Sequence, residues 1–390
     1  MQIACRRRTA GFLAVASLLF LQTFPISAQP GENGPAKWSK QTATQWYSKE
    51  PWLVGSNYLP AYAVNQLEMW QAATFDPKRI DLELGWAQGL GMNTMRVFLH
   101  DLLWEQDSAG FKKRIDTFLN IADKHKIKPI FVFFDSCWNP NPHLGKQPAP
   151  TPGVHNSGWV ESPGVKALED PSQYPRLEAY VKGVVGAFGK DPRVLAWDIW
   201  NEPDNLNGSS YGKQEPANVK QLVLQLLPKA FAWAREAHPE QPLTSGLWQG
   251  DWSSYAKLSP MAKEQIDESD VVSFHNYEPA ASFEQHVEWL EQYGRPLICT
   301  EYMARPQGST FQSIMPVEKK DKVGAINWGF VAGKSQTYLP WASWQHPYVN
   351  HPPAVWFHDI FHTDGKPYRP EEVRFIREMT RVNQGAVFGH

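Results

Sequence analysis

The sequence predicts a single-domain α/β fold, a (β/α)8 TIM barrel, on three observations. Apolar runs of strand length alternate with helical stretches along most of the 390 residues. One run, PIFVFFD, is apolar on both faces, as a parallel strand covered by helices must be. A glycine-rich dinucleotide fingerprint is missing after the first run, which disfavours an open doubly wound sheet.

Taken in order, Trp52–Pro60 reads as the first strand. The helix after it starts at Asp76, an N-cap, with Pro77 in the first helical position. Asn93–His100 is the second strand, Phe111–Lys126 a helix, and Pro129–Asp135 the third strand. A stretch rich in Pro, Gly and Asn from Asn139 to Pro171 reads as a long loop, and ordered loops of that length are usually functional. Helix Tyr174–Gly189 leads into strand Val194–Asn201, then helix Ala217–Ala237 and strands Leu243–Trp248 and Val271–Tyr277. Helix Ser282–Tyr293, strand Leu297–Tyr302, a helical piece over Thr310–Lys320, strand Gly324–Val331 and a closing helix over Pro370–Arg381 complete the count.

The N-terminus reads as a secretory signal over residues 1–28, with the domain following over 29–390. Arg6, Arg7 and Arg8 precede an apolar run to Phe24, and small residues end at Ala28. The run is too short for a membrane anchor, so the expected location is periplasmic or secreted. Losing three arginines moves the net charge from −2 to about −5. A mildly acidic chain with no basic block disfavours nucleic acid or an anionic membrane as partner. Cys137 and Cys299 fall on strands expected to be far apart, so two free buried thiols are predicted rather than a disulfide.

Two strand ends deliver a glutamate each: WDIWNEP gives Glu202 and PLICTEY gives Glu301. Two carboxyls held on separate strands are the minimal apparatus for cleaving a glycosidic bond, one as proton donor and one as nucleophile. Strict alternation puts Ala196, Asp198, Trp200 and Glu202 on one face of the fourth strand. It likewise groups Ser273, His275 and Tyr277, then Leu297, Cys299 and Glu301, and Thr94, Arg96, Phe98 and His100. If those faces point inward, Arg96, Glu202, His275, Tyr277 and Glu301 meet at the C-terminal mouth, where barrel active sites sit.

With Asn-Glu-Pro ending strand four, His-x-Tyr ending strand six, a glutamate ending strand seven, Arg96 on strand two and Trp328 on strand eight, the chain resembles clan A glycoside hydrolases of the cellulase and endo-mannanase (family five) type. The resemblance spans Trp52 to Arg381. It implies a retaining double displacement with Glu202 as acid/base and Glu301 as nucleophile. It further implies that Asn201 binds the sugar 2-hydroxyl, Arg96 and Tyr277 the nucleophile, His275 the acid/base, and Trp328 the face of the cleaved sugar. A neighbouring Arg96 and Tyr277 should lower the pKa of Glu301, and the Glu301 charge should raise that of Glu202. Where cellulase-like members carry a histidine after strand three, this chain has Asp135-Ser136-Cys137-Trp138, so Asp135 and Trp138 are candidate substrate contacts. Lys334 and Gln336, in the run after strand eight, are candidate specificity residues.

Blander readings stand beside these. Arg96 would also pair with Asp198 inside the barrel. Most of the 18 tryptophans are expected in the core, with Trp248, like Trp328 and Trp138, a strand-end candidate for a sugar platform and Trp104, Trp341 and Trp344 candidate outer subsites. Among His346, His351, His358 and His362, the last two have i,i+4 spacing, but Asp359 stands where a zinc-protease motif carries Glu, and neither metal nor cofactor is expected. The expected activity is that of a retaining β-glycoside hydrolase acting on a β-linked oligo- or polysaccharide. The rivals are an exo-acting glycosidase or transglycosylase of the same clan, with the Asn139–Pro171 loop walling one end of the cleft, and a non-catalytic carbohydrate-binding barrel.

Overall fold

The computed structural model describes residues 36–385. The expected signal segment, residues 1–28, lies outside them. Eight strands form one parallel sheet: β1 Val54–Asn57, β2 Thr94–Phe98, β3 Lys128–Asp135, β4 Ala196–Asn201, β5 Leu243–Thr244, β6 Val272–His275, β7 Leu297–Glu301 and β8 Gly324–Asn327. Their order is β5-β4-β3-β2-β1-β8-β7-β6. The barrel closes where Leu247 bridges Phe274 in parallel, with the Leu247 N–H donating to Ser273 O (3.0 Å) and the His275 N–H to Leu247 O (2.7 Å). The predicted TIM barrel is the observed fold.

Two apolar layers hold it. Leu53, Ile130, Ala196, Ile298 and Ile326 fill the barrel floor, which Trp46 and Tyr47 of helix Lys40–Tyr47 cover. A larger layer joins the outward strand faces, including Val97, Phe131 and Trp197, to helix residues such as Phe118, Tyr180 and Phe231. Each such side chain contributes about 1.5–3 kcal/mol on burial. Helix starts follow local chemistry. Asp76 accepts from the N–H groups of Lys78 and Arg79, and Thr310 forms a capping box with Ser313. The helix read as starting at Phe111 begins ten residues earlier, at Asp101, with non-helical φ/ψ at Asp107. Four helices escaped the sequence reading: Lys40–Tyr47, Gln66–Trp70, Val165–Glu169 and Pro260–Glu268. Three of them have eight residues or fewer, too short for a 3.6-residue period to register. Among the described residues no helix is long and apolar enough to cross a membrane.

Strict alternation fails at two strand ends, both at the mouth. On β7, Ile298 lies in the barrel floor while Leu297 and Cys299 pack in the outer layer, so alternation alone would aim Glu301 at the helices. A register irregularity rescues it: Phe274 pairs with Cys299 but His275 pairs with Glu301, leaving Thr300 as an extra residue. A bulge of this kind re-aims the next side chain. On β4, Trp200 packs against Phe134 (5.0 Å) in the outer layer rather than inside. Asn201 turns inward instead, and Glu202 follows it with φ +43°, a left-handed value that costs a non-glycine residue about 1–3 kcal/mol.

Candidate active site

The mouth of the barrel holds a cleft of about 780 Å³ lined by Asp135, Asn201, Glu202, His275, Tyr277 and Glu301, among others. At its base Arg96 is fully buried and joins four groups. It donates to Asp198 Oδ2 (3.0 Å), Asn57 Oδ1 (2.9 Å), Glu301 Oε1 (2.9 Å) and Asn201 Oδ1 (2.7 Å). The pairing with Asp198 expected from alternation is therefore present together with the contact to Glu301. Burial works against the Arg96 charge, but the carboxylates of Asp198 and Glu301 outweigh it and leave its pKa raised.

Glu301 also accepts from Tyr277 OH at 2.6 Å. Glu202 has a different set of neighbours: His275 Nδ1 at 2.8 Å, Asn205 Nδ2 at 2.8 Å and Cys137 Sγ at 3.2 Å. An oxygen of Glu202 lies within 4.8 Å of one of Glu301, with His275 between them. His275 Nδ1 is 3.6 Å from Glu301 Oε2. Burial lowers the His275 pKa to about 4, so the ring is neutral near pH 7. Its Nε2 faces Gly246, where an added Cβ would stand 3.0 Å away. No acceptor lies on Nε2 among the described residues, which puts the ring proton on Nδ1.

Burial pushes both carboxyl pKa values up. For Glu301 this differs from the expected lowering: Arg96 and Tyr277 do act downward, but desolvation of a fully enclosed carboxyl exceeds them. For Glu202 the leading cause is again burial, opposed by its bonds to Asn205 and Cys137. The Cys137 thiol is itself held well above its ordinary value by burial, so it donates as S–H.

Asp135 and Trp138 line the cleft, as does Trp328. Asp135 accepts from Trp159 Nε1 (2.6 Å), Asn201 Nδ2 (2.9 Å) and the Cys137 N–H (3.1 Å), and burial raises its pKa to about 6. Trp138 stacks on Trp344 at 5.5 Å, and Trp341 meets Tyr277 edge-on at 5.0 Å. Trp248 also lines the cleft, its Nε1 donating to Asp204 (2.6 Å). Three candidates are not brought to the site. Lys334 pairs with Glu68 (2.6 Å), and Gln336 is spent on the backbone of Thr151, Gly153 and Val154. Trp104 lies against Gly183 of a neighbouring helix.

Asn57, Cys137 and Asn205 escaped the sequence reading as site residues. Asn57 ends β1 on the face that Leu53 shares, so alternation held its signal; Cys137 and Asn205 sit on loops, where no period operates. Cys137 and Cys299 are free and buried, as expected. Glu202, His275 and Glu301 offer a ligand set of the size of a catalytic zinc site. Arg96, bonded to Glu301 Oε1, already sets a fixed positive charge against that carboxylate, which disfavours a cation beside it.

A family model described as Cellulase (glycosyl hydrolase family 5) matches residues 87–347, two thirds of the chain. A search of curated proteins finds no match. Among solved structures, the chain is similar to the endo-β-1,4-mannanase of Thermotoga petrophila (14% identity, 88% of this chain and 80% of that one, TM-score 0.55). It is also similar to the β-mannanase of the blue mussel Mytilus edulis (14%, 84% and 92%, TM-score 0.54). A third is the exo-β-1,4-mannosidase Op5Man5 of Opitutaceae bacterium strain TAV5 (18%, 86% and 60%, TM-score 0.55). At these identities the structural likeness speaks to the fold, and the family model to the chemistry. The chain belongs to glycosyl hydrolase family 5 and is a retaining glycoside hydrolase whose substrate is a β-linked glycan.

Proposed function

We propose that Glu202 and Glu301 carry a double displacement at the anomeric carbon, with Glu202 as acid/base and Glu301 as nucleophile. The observation that carries this reading is that an oxygen of one lies within 4.8 Å of an oxygen of the other. Retaining pairs stand about 5–5.5 Å apart, whereas inverting pairs leave about 6.5–9.5 Å for a water. The donors divide the roles. Glu301 alone receives a guanidinium and a phenol, which favour its ionised, attacking form. Glu202 has only neutral donors, and burial raises its pKa, which favours its proton-carrying form.

In the first step Glu301 bonds to C1 as the C1–O bond breaks and the Glu202 proton passes to the leaving oxygen. Glu202 then takes a proton from water, whose oxygen bonds to C1 and releases Glu301 with the configuration retained. Neutral His275 holds Glu202 in place, Asn201 and Asp135 supply polar contacts to the bound sugar, and Trp328 and Trp138 offer apolar faces to it. The mechanism calls on no cofactor. The leading substrate class is a β-1,4-linked mannoside, on the names of the structural relatives. The protein acts outside the cytoplasm once residues 1–28 are removed, which sequencing the N-terminus of the exported protein tests.

The catalytic reading is tested with aryl β-glycosides. Glu301→Ala should abolish turnover, and azide should restore part of it to Glu202→Ala by standing in for activated water. An inverted first product in proton NMR would remove Glu301 from its role.

A further inference from the structure

We infer that this enzyme cleaves its glycan at a chain end, because three loops are locked into one wall along one side of the cleft. The inference rests on the catalytic reading above and adds to it the mode of attack. In the sheet order β3-β2-β1-β8, the loops after β3 and β8 flank the mouth above β2 and β1. They are joined directly. The Asn156 N–H donates to Ser335 O (2.8 Å), the His155 N–H to Ser343 Oγ (2.8 Å), and the Tyr348 N–H to Gly153 O (2.9 Å). Gln336 clasps the joint from the other side, accepting from the Gly153 N–H (3.0 Å) and donating to the carbonyls of Thr151 (2.8 Å) and Val154 (3.0 Å).

The loop after β1 fills the space between them. The Lys334 N–H donates to Ala61 O (3.0 Å), Asn65 Nδ2 to Gly158 O (2.9 Å), and Gln66 Nε2 to Val160 O (2.9 Å). Glycine stands at each joint for a steric reason. A Cβ on Gly158 would fall 2.2 Å from Val64, one on Gly333 2.4 Å from Ala61, and one on Gly153 2.5 Å from the Tyr348 backbone. No side chain fits between these surfaces, so the wall is continuous.

The cleft reflects this. Its lining comes from the segments after β3 to β8, and none from those after β1 or β2. At the walled side it stops at Trp159 and Trp328, which meet edge to face at 5.8 Å and both pack on Phe98. Behind them the free space is about 20 Å³, bounded by Asn57, Leu59 and Phe98. That is room for about one water and not for a sugar ring. A glycan chain can leave the cleft on the side of β4 to β7 but cannot run through to the other. Internal cleavage needs both exits.

The test uses the full mature chain with β-1,4-linked manno- and gluco-hexaoses carrying a fluorophore at the reducing end. Early products should be one short chain-end fragment and its complement, with fragments from the middle of the chain below about a tenth of the total. An early mixture of all lengths from the wild type overturns the inference. Gln336→Ala and Ser343→Ala loosen the wall without touching the site. Each should keep aryl β-glycoside turnover within about threefold while the share of mid-chain fragments rises at least fivefold. Unchanged fragment patterns in both variants overturn the wall as the cause. Failure of the catalytic reading is a separate result: aryl β-glycosides would not be turned over by the wild type, or Glu301→Ala would turn them over undiminished.

Discussion

Replacing Arg96 by Met tests both the scaffold and the site. The guanidinium is the hub of four contacts of 2.7–3.0 Å, and methionine removes them all while filling part of the volume. Asp198, fully buried, is left with a carboxyl whose chief opposing charge is gone, and Glu301 loses the guanidinium that donates to it. Removing one partner of a buried ion pair costs about 3–5 kcal/mol. With an unfolding entropy of about 2.1 cal/mol/K per residue over roughly 350 residues, that is a fall in Tm of about 4–7 °C. Adding Asp198→Asn removes the stranded charge and should return about 2 kcal/mol or more, without returning turnover, because Glu301 still lacks its donor. Thermal unfolding followed by circular dichroism, beside aryl β-glycoside hydrolysis, reads both effects. A loss below about 1 kcal/mol in the single variant, or a double variant no more stable than the single, would refute the reasoning.

Three further outcomes are expected. Tyr277→Phe removes a hydrogen bond that favours the ionised form of Glu301, so the rising limb of kcat/KM should move to higher pH; a limb that stays in place rejects the contact as functional. Glu318 is fully buried, neither of its oxygens has a hydrogen-bond partner among the described residues, and burial holds its pKa well above the ordinary 4.5. A carboxyl raised in this way weakens the fold progressively as pH climbs above 4.5, so Glu318→Met should match the wild type near pH 4 and exceed it by about 1–3 kcal/mol at pH 7 in denaturant titrations. Cys137 is buried and held as a thiol, so iodoacetamide at pH 7.5 should label it only after unfolding, and labelling of the native protein at the rate of a free thiol would contradict the Glu202 contact.

The sequence by itself determined the barrel, because eight buried parallel strands must read as apolar runs and each is short enough to be bounded by its turns. It also determined which carboxyls matter: an Asn-Glu at one strand end and a lone glutamate at another are local facts. What it misread is where the backbone leaves regular geometry. Alternation placed Trp200 inside and treated Cys299 and Glu301 as sharing a face, whereas the bulge at Thr300 and the left-handed turn at Glu202 decide their directions. Those deviations are fixed by neighbouring strands, which no single run of residues encodes. Lys334 and Gln336 were likewise read from local chemistry alone, and only the packing of the β1, β3 and β8 loops shows that they hold the rim together. Loops carry no period, so their partners, and with them the closed side of the cleft, follow from tertiary contact alone.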